Sequence, residues 1–205
     1  MGAEMGPGPD VEHHHHHQTG HRWLDVTLAC SAVFISLMSL LLALQHGKAM
    51  EKMVEVSSWP YVGMATSNVS DDGTLNFRLV ILNKGVGPAK IDSIEVFYHG
   101  EAQQDPDHLV AAMLKLPYPL PFGVTNSDVL NSVLSAREQE FLFQIPQDRV
   151  TPEQFKTLSH EAGNLDYRVC YCSVFDECSL WDSRMAAKTT PSGKACPVPK
   201  TMFLH

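Results

Sequence analysis

The sequence has few charged side chains, and its basic residues do not cluster. Lys and Arg number 15 against 23 Asp and Glu, which gives a formal net charge of -8 at pH 7. From Ser57 onward, 12 basic residues are scattered among 17 acidic ones without forming a run. Because binding to a phosphate backbone needs clustered cations, this distribution argues against nucleic acid as a partner.

The sequence also lacks the common catalytic motifs. It contains no G-x-S-x-G nucleophile elbow and no H-E-x-x-H motif, and Gly85-x-Gly87 lacks the lysine and helix that a nucleotide site needs. His99, His108 and His160 lie at expected strand ends or on helices, outside any catalytic pattern. We therefore expect no enzyme activity, no catalytic residues and no cofactor. A hydrolase site assembled only by the fold stays an open alternative.

A stretch of 19 residues near the N-terminus contains no charge at all. It runs from Val26 to Leu44 and reads VTLACSAVFISLMSLLLAL, which as a helix is just long enough to cross the hydrocarbon core of a bilayer. Trp23 at its border suits the membrane interface. We expect a transmembrane signal-anchor helix over residues 23–46. The alternatives are a cleaved signal peptide, whose apolar region is usually shorter, and a buried core helix, which normally has a polar stripe.

The segments beside this span differ in composition. Residues 1–22 contain Gly, Pro, acidic residues and the run His13 to His17, with too little apolar content to fold. We expect a disordered cytoplasmic tail there, and we assign its histidines no metal role because the run imposes no fixed geometry. Residues 47–58 place apolar side chains at helical spacing among Lys and Glu, which predicts a helical stalk.

A period-two apolar pattern begins at Trp59 and predicts antiparallel strands. The turn signal Asp71-Asp72-Gly73 separates two alternating stretches and indicates a hairpin. Later strands are predicted in KIDSIEVFYHG, REQEFLFQIP, LDYRVCYCSVF and ECSLWDS. The inward-facing residues expected in the earlier strands are Leu75, Phe77, Leu79, Ile81, Ile94, Val96, Tyr98, Phe141, Phe143 and Ile145.

Two short connecting helices are predicted between these strands. Asp105-Pro106 places a capping carboxylate before a proline at the first helical position, and residues 151–154, TPEQ, form a capping box. The order of elements indicates a mostly β chain, in which the transmembrane helix is followed by an antiparallel β-sandwich over residues 59–183. Residues 184–205 are polar and proline-containing, and we expect them to form a surface tail.

Two motifs carry a resemblance to a known group of proteins. LVILNKGVGPAKIDSIEVFY holds N-x-G-x-G-P-A between two β-branched runs, and YCSVFDEC lies near the end of the domain. Together with the anchor helix, they make residues 22–183 resemble uncharacterised single-pass bacterial membrane proteins with an exported immunoglobulin-like β-sandwich domain. The resemblance implies an immunoglobulin-like fold and a membrane location. It carries no activity or catalytic residue.

Cysteine usage indicates the compartment. Four of the five cysteines lie between Cys170 and Cys196, and such a cluster in a small β domain is typical of an oxidising environment. The basic residues beside the span, Arg22 before it and Lys48 and Lys52 after it, are nearly balanced and slightly favour the opposite orientation, so the cysteines decide it. We expect an anchor in the cytoplasmic (inner) membrane, with the N-terminus inside and the C-terminal domain in the periplasm or outside.

The spacing of these cysteines suggests how they pair. Cys170 and Cys172 leave their strand on the face opposite its apolar residues. A turn centred on Phe175 would set Cys172 across from Cys178, at a separation compatible with a cross-strand disulfide, and Cys170 would then be free to take Cys196. Four cysteines permit three pairings, and all three stay open.

Two other uses of the four cysteines are weighed against structural disulfides. A zinc site has the right ligand count, but C-x-C-x5-C-x17-C lacks the usual C-x2-C knuckles. A thiol-exchange role has Arg168 on the same face but no C-x-x-C at a helix start. We expect structural disulfides and no metal. The fifth cysteine, Cys30, is expected to be a small lipid-facing or helix-packing residue.

These observations favour a binding or assembly module without catalytic activity. Its expected partners are the lipid bilayer, through the anchor helix, and another envelope protein. The alternative is a thiol-active or metal-binding envelope protein that uses the C-terminal cysteine cluster.

Overall fold

The computed structural model describes residues 22–70 and 72–204, which divide into two compact units. The first unit is Met1–Glu51 and the second is Lys52–His205. The predicted tail with its histidine run therefore lies outside the described residues, except for Arg22, which begins a helix. About one third of the chain is helical and about one third is in strands. The description "mostly β" is thus wrong for the whole chain, because one long helix contributes most of its helical residues.

Helix α1 (Arg22–Ser57) is 36 residues long, and none of them is buried. Its most apolar window of 18 residues has a mean hydropathy of 2.3, so the helix is long and apolar enough to cross a membrane. Hydroxyl groups within the window donate to carbonyls of the preceding turn, which removes unpaired donors from an apolar surrounding. These bonds run from Thr27 to Leu24 at 2.9 Å, from Ser31 to Leu28 at 2.8 Å and from Ser36 to Ala32 at 2.8 Å.

The second unit contains antiparallel strands and two short helices. The strands in the described part of the chain are β1 (Val62–Val69), β2 (Leu75–Asn83), β3 (Ala89–Tyr98), β4 (Glu101–Gln103), β5 (Thr125–Asn126), β6 (Val133–Leu134), β7 (Gln139–Pro146), β8 (Leu165–Cys172), β9 (Cys178–Asp182) and β10 (Thr189–Gly193). The helices are α2 (Pro106–Leu114) and α3 (Pro152–Glu161), with 3-10 turns at Gln147–Arg149 and Ala162–Asn164. Sheet A has the order β1-β2-β7-β5, and sheet B has the order β10-β9-β8-β3-β4 with β6 also beside β3.

The two sheets share one apolar core. Period-two alternation sends one set of side chains from each strand inward, and burial of each large side chain stabilises the fold by about 1.5–3 kcal/mol. The ring of Trp181 on sheet B lies against Gly63 on sheet A, where an added Cβ would be 3.5 Å from Trp181 Cε2. Fully buried core residues include Val62, Phe77, Leu79, Ile81, Ile91, Leu109, Val110, Phe143, Ile145, Leu158 and Val169.

The two short helices begin at the caps that the sequence predicts. The Asp105 carboxylate accepts a hydrogen bond from the His108 N–H at 2.8 Å at the start of α2. Thr151 and Gln154 form both bonds of a capping box at the start of α3. Each cap satisfies backbone donors that a helix leaves without a partner, which fixes where the helix starts.

In the N-x-G-x-G-P-A motif, one buried side-chain amide forms hydrogen bonds to three separate segments of the chain. Asn83 is 1% exposed; its Oδ1 accepts from Gly85 N at 2.9 Å and from Tyr61 N at 3.1 Å. Its Nδ2 donates to the carbonyls of Gly87 and Leu134 at 2.8 and 3.2 Å. Both glycines lie so close to the 58–61 backbone that a Cβ would not fit. The motif therefore has a structural role here.

Strand β7 departs from the predicted alternation. Phe141 and Phe143 were both expected to point inward, but a register shift in the pairing with β2 leaves Leu142 as an extra residue between them. A bulge of this kind reverses the facing of residues on one side of it. Leu142 and Phe143 accordingly belong to the core, and Phe141 does not.

The last segment also departs from the prediction. Residues 184–205 were expected on the surface, but Thr189–Gly193 forms β10 and pairs with β9. Further on, Phe203 is 1% exposed, its ring centroid lies 6.4 Å from that of Phe143, and its N–H donates to Ile94 O at 2.9 Å. Apolar burial of one aromatic ring thus brings the end of the chain into the core.

Candidate functional site

The outer face of sheet B carries charged and sulfur-containing side chains. In β8 the residues Tyr167, Val169 and Tyr171 belong to the core, and the residues between them point to the opposite face. Arg168 and Cys170 therefore share the outer face, although Cys170 is fully buried. Part of the chain therefore covers the outer face and shields some of its polar groups and sulfurs from solvent.

The four cysteines near the C-terminus form one group, the four-sulfur cluster, made of Cys170, Cys172, Cys178 and Cys196. The Sγ atoms of Cys172 and Cys178 are 2.04 Å apart, and those of Cys170 and Cys196 are also 2.04 Å apart. Both are disulfide distances. Of the three pairings that the sequence leaves open, the structure contains this one.

The β8–β9 turn explains the pairing of Cys172 with Cys178. The two residues are directly opposite in the strand register, with Cα atoms 3.9 Å apart. Ser173 N donates to Glu177 O at 2.8 Å, so Ser173 and Glu177 form a hydrogen-bonded pair. The next pair along the strands, Cys172 and Cys178, is then a non-hydrogen-bonded pair, in which the residues lie closer together. Asp176 has a φ of 57°, a conformation that Asp tolerates better than most residues.

The two sulfur pairs lie in contact with each other. Cys172 Sγ is 4.0 Å from Cys196 Sγ, and the Sγ atoms of Cys172, Cys178 and Cys196 all lie within 4.8 Å of one another. Cys170 and Cys178 are 0% and 3% exposed, whereas Cys172 and Cys196 are half-buried. Zinc binds thiolates, and sulfurs bonded to each other offer none, so a metal would need the reduced form of this cluster.

A charge network lies beside the cluster on the same face, made of Glu95, Arg168, Asp182 and Arg184. Glu95 is opposite Arg168 in the β3–β8 register, and Arg168 is opposite Asp182 in the β8–β9 register. Arg168 donates from Nη1 to Glu95 and from Nε to Asp182, each at 3.0 Å. Arg184 donates from Nη2 and Nε to the two oxygens of Asp182 at 2.7 and 2.9 Å. Three strands are thereby joined by charge-assisted bonds.

Pairing with Arg184 favours the ionised form of Asp182. Asp182 is 1% exposed, and its hydrogen bonds from Arg184 hold its pKa well below the ordinary 3.8, against the opposing effect of burial. The same bonds raise the pKa of Arg184. The guanidinium carbon of Arg184 lies 4.1 Å from the centroid of the Phe97 ring, which is a cation–π contact.

Sequence reasoning recognised Arg168 on the thiol face but missed its two carboxylate partners. The signal was available in part, because Glu95 occupies an outward position of a predicted strand. An outward charge is normally solvated, and nothing local indicates that Glu95 is buried and bonded to Arg168. The network depends on contacts between residues far apart in sequence.

The structure brings two of the three histidines to one carboxylate. His99 Nε2 and His160 Nδ1 lie 3.7 and 3.6 Å from the Glu161 oxygens. Tyr98 Oη donates to Glu161 at 2.9 Å, and Asn164 lowers the pKa of Glu161 through a bond of 2.7 Å. Burial, together with Glu161, raises the pKa of Tyr98 to about 12. Both histidines are mostly exposed, and the third, His108, stacks on Tyr118 at 4.1 Å.

A cavity of about 410 Å³ adjoins the cysteine hairpin within the second unit. Its apolar lining includes Val56, Trp59, Pro60 and Pro191, and Cys178 reaches it as well. Glu55, Glu177 and Lys194 line the same cavity. The Glu55 carboxyl raises the pKa of Glu177 through a hydrogen bond and charge repulsion, against the opposing effect of Lys194. We call this site the hairpin cavity.

No family model, no curated protein and no solved structure matches the chain. The described residues define a protein with one N-terminal helix apolar enough to cross a membrane, followed by antiparallel β-sheets with cysteine pairs at disulfide distance.

Proposed function

We propose that the chain is a single-pass protein of the cytoplasmic membrane whose immunoglobulin-like domain lies outside the cytoplasm and binds another envelope protein without catalysing a reaction. The observation that carries this proposal is the combination of helix α1, apolar and without a buried residue, with two cysteine pairs at disulfide distance in the following unit. Disulfides persist in oxidising compartments. That preference supports an extracytoplasmic domain.

The architecture of the second unit supports the immunoglobulin-like part of the proposal. Two antiparallel sheets contribute side chains to one core, as in sandwiches. Proteins of that class present loops and sheet edges to partners. The N-x-G-x-G-P-A segment links two strands that belong to different sheets, β2 and β3.

The hairpin cavity is the surface that suits a partner best. It is mainly apolar, and Trp59 at its wall is 61% exposed. Binding sites are usually apolar concavities with a few polar groups, and exposed tryptophans often contribute most of the binding energy at interfaces. Glu55, Glu177 and Lys194 place charges of both signs at the cavity, which favours a partner segment that has a polar side chain beside an apolar one.

Membrane topology is the first test. Two fusions at His205 are compared, one to a phosphatase that folds only where disulfides form and one to a fluorescent protein that matures only in the cytoplasm. We expect phosphatase activity and no fluorescence. The opposite pattern would place the domain in the cytoplasm and remove the proposal.

Partner binding is tested by crosslinking in intact cells. The full chain is compared with Trp59→Ala and with Val133→Ala, a matched control because Val133 is equally exposed at 61% elsewhere on the domain. We expect one reproducible crosslinked protein, whose recovery falls about tenfold in Trp59→Ala, as for loss of about 1.4 kcal/mol of binding energy. Equal recovery with both variants contradicts binding at the hairpin cavity.

A further inference from the structure

The two disulfides of the four-sulfur cluster contact each other through the sulfurs of their less buried cysteines. Cys172 and Cys196 are half-buried and belong to different disulfides, and their Sγ atoms are 4.0 Å apart. Their bonded partners, Cys178 and Cys170, are almost completely buried. In each disulfide, the less buried cysteine is therefore the one whose sulfur lies 4.0 Å from the other disulfide.

Such proximity is what thiol–disulfide exchange requires. The reaction is attack by a thiolate on a disulfide sulfur, and its rate depends on access and on the fraction of thiolate present. At 4.0 Å, a Cys172 thiolate would lie close to van der Waals contact with the disulfide sulfur of Cys196. The attack of Cys172 on Cys196 therefore needs no large movement of the backbone.

We infer that Cys172 and Cys196 carry out an internal thiol–disulfide exchange step after an external dithiol has reduced the Cys172–Cys178 bond. The first thiolate of the dithiol attacks Cys172 Sγ, and Cys178 leaves as a thiolate and is protonated. The second thiol of the dithiol then attacks the mixed disulfide, which releases a Cys172 thiolate and a cyclic disulfide. Two electrons have entered the chain.

The internal step follows without further oxidant or reductant. The Cys172 thiolate attacks Cys196 Sγ, a Cys172–Cys196 bond forms and the Cys170–Cys196 bond breaks. Cys170 leaves as a thiolate and takes up a proton. The remaining disulfide then joins the two less buried cysteines, Cys172 and Cys196, and the two buried cysteines are thiols. This activity goes beyond partner binding, because the cluster exchanges electrons with a dithiol.

The step is tested in the full chain in detergent with variants that each lack one cysteine of the cluster. Every variant also carries Cys30→Ala, which removes the fifth thiol. In Cys170→Ala the freed Cys196 thiol faces the Cys172–Cys178 disulfide; in Cys178→Ala the freed Cys172 thiol faces the Cys170–Cys196 disulfide. Samples are moved from acid to pH 8, quenched in acid at intervals, alkylated and digested without reduction. Mass spectrometry then identifies which cysteine carries the label.

We expect the label to move with time in both variants. It should appear on Cys178 in Cys170→Ala and on Cys170 in Cys178→Ala, in each case together with a Cys172–Cys196 peptide in at least about a third of the molecules. The matched control is Cys196→Ala, which leaves Cys170 free. Since Cys170 is fully buried and lies outside the group of sulfurs within 4.8 Å of one another, its label should not move.

Two results would overturn the inference. One is a label that stays on the freed cysteine in both test variants, and the other is equal mixing in Cys196→Ala, which indicates exchange through unfolded chains. A second measurement avoids variants: the unaltered chain is exposed briefly to a dithiol and trapped in acid. The first intermediate retains the Cys170–Cys196 bond and is expected to convert with time into one with the Cys172–Cys196 bond; a Cys170–Cys196 intermediate that persists without converting contradicts the step.

Discussion

The two faces of sheet B are held together by different means. The inner face of β3, β8 and β9 packs Ile94, Val169 and Trp181 into the shared core. The outer face of the same strands carries the charge network and the four-sulfur cluster. Apolar packing is spread over many contacts, whereas each outer bond joins two particular residues. Both faces therefore stabilise the fold, the inner one through many weak contacts and the outer one through a few specific bonds, and the outer face is where specific chemistry is possible.

The largest effect is expected from a substitution on the inner face. Trp181→Ala removes a side chain that is 6% exposed and packs against Gly63, so the free energy of unfolding should fall by about 4 kcal/mol. Leu180→Ala is the matched control, because Leu180 is the neighbouring, half-buried residue opposite Cys170 on the outer face; a loss of about 1 kcal/mol is expected there. Denaturant unfolding followed by circular dichroism measures both. Similar losses would mean that the faces do not differ.

The disulfides provide the next comparison, since both lie on the outer face. Removing Cys170–Cys196 with a double alanine variant opens a loop with a separation of 26 residues, and removing Cys172–Cys178 opens one of 6. Loop-closure entropy predicts losses of about 3.5 and about 2 kcal/mol. Chemical unfolding without reductant measures the difference. If the short loop costs more than the long one, the bonds act by some means other than constraint of the unfolded chain.

A smaller effect is expected from the charge network. Asp182→Asn keeps the shape of the side chain but removes the charge shared by Arg168 and Arg184, and we expect a loss of about 2 kcal/mol at pH 7, because both arginines remain about one third exposed. The same unfolding measurement detects it. Asp176→Asn, in the exposed turn, is the control and should change stability by less than about 0.5 kcal/mol.

Asp182→Asn also tests how the stability of the protein depends on pH. The pKa of Asp182 is lowered in the folded state from the ordinary 3.8, so its contribution to stability is complete above pH 4 and is lost as the pH falls further. The unaltered protein should lose stability on acidification below about pH 4, and Asp182→Asn should lose less. Parallel curves for the two proteins would show that this carboxylate is not stabilised by the fold.

Much of the inner face could be predicted from sequence, because alternation is a local pattern. Phe77, Leu79 and Ile81 lie on the predicted side of β2, and the caps of α2 and α3 follow from adjacent residues. The opposition of Cys172 and Cys178 required only a turn of fixed length. These features depend on residues within one or two strands.

The remainder depends on contacts that no local pattern contains. The bulge at Leu142 is set by how β7 pairs with β2, and the apolar sequence around it fits either facing. Glu95 and Asp182 meet Arg168 only after three strands have assembled. The polar composition of the last segment concealed both β10 and the buried ring of Phe203.

The position of Phe203 governs when the domain can finish folding. Its backbone N–H bonds to Ile94 and its ring contacts Phe143, so the core stays incomplete until this residue has docked. Contacts this distant in sequence slow folding. Until Phe203 docks, the partly folded domain exposes apolar surface that the native fold buries, and such surface can associate with other chains.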